Sequence, residues 1–225
     1  MGLSDYLGRF WYSSEPMFGV IMVVCFTCIL RYNQNSAFFQ VFLDEIIMAA
    51  LSCCIAWGLV DGIFYAWEAH YEQDKKKDMI SLAASPADME SARSLVAQNL
   101  DDTLVSVLDD QEKEQVYRKV LEKLPKTDAG KVTLRDDITT VLLAFSLVVG
   151  SAVIVLVPFF FVLDERTVPA VMNALLISNF LGIVLLFLMG YWREEEPRFI
   201  KKIWSGSMTA LIALVITLVT IYLGG

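Results

Sequence analysis

Residues 138–163, 167–192 and 203–225 form three runs without a single charged side chain. Each exceeds the about 20 residues an α-helix needs to cross a bilayer core. A segment in lipid must satisfy its own backbone, so the pattern predicts three spanning helices. Residues 46–67 make a fourth apolar run, 22 residues long and broken only by Asp61. Residues 17–30 supply only 14 uncharged positions. Extended backward past Pro16 and Glu15 to the interfacial aromatics Tyr12 and Trp11, they read as the first span. The expected fold is all-α, a polytopic bundle of five transmembrane helices with a cytoplasmic helical insert between spans two and three.

The polar stretches have patterns of their own. Leu3, Tyr6, Leu7, Phe10 and Trp11 recur at helical spacing with Asp5 and Arg9 off that face, which predicts a short interfacial helix over 3–12. After the polar turn Asn33-Gln34-Asn35-Ser36, the second helix is expected from near Phe38, past Trp67, into water at His70 to Gln73. Ser85-Pro86-Ala87-Asp88 offers an N-cap, a proline at N1 and an acid at N3. Asp109-Asp110-Gln111-Glu112 offers a second cap, followed by the stripe Val116, Tyr117, Val120, Leu121 and Leu124 and closed by Pro125. Thr133-Leu134-Arg135-Asp136 starts a helix that runs into the third span. The chain divides into 1–73, 74–137 and 138–225: interfacial helix with spans one and two, helical insert, and spans three to five.

Composition fits this class: 56% hydrophobic residues and a mean hydropathy of +0.54 exclude an ordinary soluble domain. With five spans, sixteen of the 18 Lys and Arg residues fall on one side, leaving Arg31 and Arg166 opposite. The positive-inside rule then places the N-terminus and insert in the cytoplasm and the C-terminus across the membrane. The net charge of −8 comes largely from water-facing segments, and no basic patch suits nucleic acid. The start of the chain lacks the basic and small-residue features of a cleavable signal peptide. All four cysteines lie in apolar segments, which argues against a disulfide framework. Ser146, Gly150, Ser151 and Pro158 in span three, and Gly206, Ala210, Ala213, Thr217, Thr220 and Gly224 in span five, allow close helix packing.

Asp61 is the first candidate for chemistry. A carboxylate near mid-membrane costs about 2.5–3.5 kcal/mol on insertion scales, so it implies a partner or a task. Cys54, Gly58, Asp61, Tyr65, Glu68 and Glu72 share one helix face at 3–4-residue spacing, and that face grows more acidic toward its end. Asp61 is read as a deep cation or proton ligand, with Glu68 and Glu72 as an acidic vestibule. Oxygen ligands suit hard or borderline divalent ions. The plainer alternative is that Asp61 pins helix packing, with Asn173 or Asn179 as partner. Cys25, Cys28, Cys53 and Cys54, with Met22 and Met48, could approach a soft metal, but such residues more often pack. His70, the only histidine, is expected at the membrane interface. No nucleotide-binding, nucleophile-elbow or HExxH motif occurs, and no enzyme is expected.

Five helices, a helical insert after the second and the stretch Ala50-Leu51-Ser52-Cys53-Cys54-Ile55-Ala56-Trp57-Gly58 resemble the vacuolar iron transporter family. Asp61-Gly62-Ile63 is similar to that family's acidic-glycine motif, which the family carries in its first helix. The resemblance implies a homodimer that moves ferrous or similar divalent ions out of the cytoplasm in exchange for protons. No permanent cofactor is implied; the metal ion is substrate. The first helix has no acid between Pro16 and Leu30, Leu59 stands where the family has glutamate, and Glu90, Glu112, Glu114 and Glu122 do not repeat at one spacing. Only Asp61 carries over. The expected function is proton-coupled divalent-cation transport; the alternatives are a non-transporting membrane scaffold and a passive cation channel.

Overall fold

The structure, a computed structural model, describes residues 4–32, 35–85, 88–101, 103–126, 128 and 130–223. Within the helices, some side chains, including those of Asp5, Tyr6, Arg9, Ala213, Thr217 and Thr220, lie outside that description. The described residues are helical, without strands. The long elements are α1 (Ser4–Thr27), α2 (Ser36–Ala84), α5 (Leu134–Phe160), α6 (Val168–Arg193) and α7 (Phe199–Leu223), with the shorter α3 (Met89–Leu100) and α4 (Asp110–Lys123) between α2 and α5. Two compact units result: Met1–Tyr65 with Arg135–Gly225, and Ala66–Leu134. The boundary falls within α2, earlier than residue 74, because the last turns of that helix supply Met79, Leu82 and Ala83 to the second unit's core.

Four helices are long and apolar enough to cross a membrane, at Phe10–Arg31, Ala37–Ala84, Leu134–Phe160 and Val168–Arg193. α7 adds 25 residues. In the first unit Val20, Val23, Leu43, Val148, Leu156 and Val171 form a fully buried core. Phe64, Ile154, Leu176, Phe180 and Leu211 point outward and stay exposed. In water such broad apolar faces would drive association, whereas against acyl chains they cost nothing.

The expected interfacial helix over 3–12 differs from what forms. Leu3 and the side chain of Tyr6 lie outside the described residues, and α1 breaks at Gly8, where φ is +70° and ψ 149°. That backbone region is essentially open only to glycine, so the break is written into residue 8. α1 then continues through Pro16, ending in a 3-10 turn over Cys28–Tyr32. At the loop before α6, Arg166 adopts φ +44° and donates to the carbonyls of Leu163 (2.6 Å) and Gln40 (2.7 Å) and to Asp44 Oδ2 (2.7 Å). Three bonds thus hold a strained residue and tie that loop to α2.

The second unit is a small helical module. Pro86 and Ala87 lie outside the described residues; α3 begins at Met89, with Asp88 as an N-cap that makes no side-chain cap bond. The second expected start forms as a full capping box: the Glu112 amide donates to Asp109 Oδ1 (2.8 Å) and the Asp109 amide to Glu112 Oε2 (3.2 Å). Tyr117 and Leu121 from the expected stripe bury against Ala83, Ala92 and Val96. Arg93 clamps Glu114 with Nε (3.1 Å) and Nη2 (2.6 Å), which holds the Glu114 carboxyl below its usual range.

The Tyr117 hydroxyl donates to Asp101, and this bond, with desolvation second, pushes the phenol up to about 12. The folded module therefore holds that proton more tightly than an unfolded chain, whose tyrosine titrates near 10. The contribution is complete below about 10 and is lost as the pH rises to about 12. Tyr117→Phe is expected to flatten this alkaline loss, measured by tyrosinate absorbance and unfolding of the full chain against pH. An unchanged alkaline limb would show that Tyr117 is not its source.

Candidate functional site

Close approach of three helices builds the site. Gly19 on α1, Gly58 and Gly62 on α2, and Val141, Phe145 and Val148 on α5 meet where no side chain would fit. A Cβ on Gly58 would stand 2.9 Å from the Phe145 Cα, and one on Gly62 2.7 Å from the Val141 Cα. On Gly19 it would run into the Val148 carbonyl and the Ser151 hydroxyl. The thiol of Cys54 reaches the Gly19 carbonyl at 3.8 Å. Ser151 Oγ donates to the Pro16 carbonyl (2.7 Å), joining α5 to the proline turn of α1.

One turn before Gly19, this contact encloses a carboxyl group. Glu15 is 0% exposed, among the most completely buried side chains of the protein. The Tyr65 hydroxyl, on α2, donates to its Oε1. Its Oε2 has no hydrogen-bond partner among the described residues. Asp61 sits one helical turn before Tyr65, half-buried, accepts a bond from the Trp57 side chain, and lies close enough for its charge to act on Glu15. The Trp11 ring packs on Tyr65 with centroids 5.7 Å apart. Two acids thus face the same apolar interface. The arrangement can store a proton, pass it through the tyrosine hydroxyl, or offer oxygens to a cation.

Asp61 is half-buried and takes its bond from Trp57 on its own helix. Neither Asn173 nor Asn179 bonds it among the described residues; Asn173 is exposed, and Asn179 Oδ1 is itself buried without a partner. Glu68 and Glu72 are exposed and belong to the second unit. Among the described residues no three of His, Cys, Asp and Glu come together in a way that could hold a metal ion. None of the four cysteines is in a disulfide; Cys53 Sγ lies 3.6 Å from Met22 Sδ, and Cys54 faces Gly19. His70 is half-buried in the second unit.

Glu15 is the residue that sequence reasoning passes over. Its charge and the following proline read as an interruption at the head of a short apolar run. The missed signal is depth: a span extended back to Trp11 carries Glu15 inside its first turns, where an acid also calls for a partner or a task. Of the small residues expected to pack closely, Ser151 does so, Ser146 and Gly150 are exposed, and Gly206 meets the Phe187 carbonyl, where a Cβ would stand 2.7 Å away. Gly224 and the side chains of Ala213, Thr217 and Thr220 lie outside the described residues.

No protein-family model matches the chain, and no curated protein matches it.

Proposed function

We propose that the protein is a proton-coupled transporter of divalent cations, of the iron or manganese kind, with Glu15 and Asp61 as its intramembrane exchange site. In this reading it crosses the membrane five times, with the N-terminus and helical module in the cytoplasm and the C-terminus opposite. Glu68 and Glu72 form the acidic approach, and the working form is a homodimer, as the resemblance to the vacuolar iron transporters implies. The observation that carries the reading is the buried carboxyl of Glu15, half satisfied by Tyr65 and beside a second intramembrane acid. A group used only to pin helices gains nothing from an unbonded oxygen, which costs about 1–3 kcal/mol when buried. Intramembrane acids facing a bundle interior mark ion pathways and proton relays. Two carboxyls, the tyrosine oxygen and water supply oxygen ligands of the type that hard cations use.

A membrane scaffold is the second reading, favoured by the tight glycine contacts that Gly19, Gly58 and Gly62 make with α5. The test separates the two. In proteoliposomes loaded with a pH-sensitive dye, an imposed gradient of ferrous or manganous ion is expected to drive proton movement above that of protein-free vesicles. Equal signals with and without protein would refute transport and leave the scaffold.

A further inference from the structure

In the first unit a cavity of about 610 Å³ lies between the end of α1 and the first turns of α2. Phe26 of α1, Ile29 of the following turn, and Phe38, Phe42 and Ile46 of α2 give it aromatic and apolar walls. The Phe38 and Phe42 rings are tilted against each other with centroids 4.9 Å apart. Behind them Phe39 and Leu43, both 0% exposed, anchor the same stretch of α2 in the core, so these walls are preformed. Glu45 supplies the one charge that lines this space. Its sequence neighbour Asp44 is taken by Arg166 at 2.7 Å. Successive helix positions point about 100° apart, so the guanidinium that holds Asp44 is drawn away from Glu45. Among the described residues Glu45 makes no ion pair or hydrogen bond, and no Lys or Arg lines the cavity.

An unneutralised carboxylate set among aromatic rings selects its ligand by charge. We propose that this cavity binds an amphiphilic organic cation, a tertiary or quaternary ammonium carried on a hydrophobic body. Aromatic faces attract such a cation through the ring quadrupole, and Glu45 neutralises it. The hydrophobic body lies along Ile29 and Ile46. The volume falls within the about 300–1,000 Å³ of small-molecule sites, which are likewise mostly apolar with few polar groups. An inorganic divalent ion is a poor match, because it needs about six oxygen ligands and the walls add none to Glu45. A choline lipid of the bilayer matches poorly too, since its phosphate would meet no cation here. This site is separate from Glu15 and Asp61, and the proposal does not rest on the transport reading.

The test uses the purified full chain in an uncharged maltoside detergent and two probes of one shape. One is 4-phenylbutyl-trimethylammonium; the other is its uncharged isostere, with carbon in place of nitrogen. Equilibrium dialysis against protein-free micelles reads binding to the protein alone. The cation is expected to bind saturably, one per chain, and at least about tenfold more tightly than the isostere. Glu45→Gln should remove that preference by weakening the cation about tenfold and leaving the isostere unchanged. Phe42→Leu should weaken the cation about threefold, since it takes away one ring face and keeps an apolar wall. Glu165→Gln, which alters a carboxylate outside the cavity, leaves binding as it was. Equal binding of the two probes by the intact protein would overturn the proposal, whatever the variants do. So would cation binding that persists in full in Glu45→Gln. Loss of the cation when phosphatidylcholine nanodiscs replace the detergent would make bilayer lipid the occupant and overturn it as well.

Discussion

Glu15→Gln is expected to reduce cation-driven proton flux by at least about tenfold while leaving the helical bundle intact. The factor corresponds to losing about 1.4 kcal/mol at the exchange step, less than the worth of one charge-assisted hydrogen bond. Glutamine keeps the shape of the side chain and still accepts the Tyr65 hydroxyl, so the contact between α1 and α2 survives. It cannot take up or release a proton, nor carry the charge that attracts a cation. Asp61→Asn should act in the same direction, because the Asp61 charge acts on Glu15 and an asparagine oxygen still accepts the Trp57 bond. A double change separates mechanism from packing. Glu15→Met with Tyr65→Phe removes the donor and the acceptor of this bond together, so it should cost the fold far less than either change alone. A transporter so altered stays folded and silent. A scaffold so altered loses nothing and shows no flux before or after the change; flux that persisted in the double variant would exclude Glu15 from transport.

Gly19→Leu is expected to cost the folded bundle at least about 3 kcal/mol, the upper part of the usual range for overpacking. Even the first carbon of the new side chain would collide with the Val148 carbonyl and the Ser151 hydroxyl, which is bonded to Pro16. Neither obstacle is the free end of a flexible side chain. Helices α1 and α5 would have to separate, and the enclosure of Glu15 would go with them. Gly150→Leu, two residues from Val148, is the control. Nothing lies within 4 Å of a Cβ there, and the position is exposed. It should change stability by no more than about 1 kcal/mol. Thermal and denaturant unfolding of both variants in the same detergent decides the matter; equal losses would show that the glycine contact is not what holds these helices.

The helical class and the long apolar elements are legible in the sequence because the bilayer sets their length and bars charge from them. The capping box at Asp109 and the stripe through Tyr117 and Leu121 are legible too, since capping and amphipathic spacing are local chemistry. What the sequence hides is lateral. Periodicity puts Asp61 and Tyr65 on one face of α2 but says nothing of what α1 presents to it. The glycines at 19, 58 and 62 set that register, and a glycine announces closeness without naming its neighbour. Glu15 was obscured for this reason, because an acid beside a proline reads as the end of a span until a second helix encloses it. Residues 3–12 show a related limit, since their apolar spacing persists across Gly8 while the backbone does not.

If Glu15 and Asp61 exchange protons for a cation, binding of the cation must displace protons from the site. Proton release is followed with an indicator dye, using the purified protein in weakly buffered detergent. Adding manganous ion to the intact protein is expected to release protons, and Glu15→Gln and Asp61→Asn are each expected to abolish the release. Binding of the cation with no proton released, or release that persists unchanged in both variants, would contradict it.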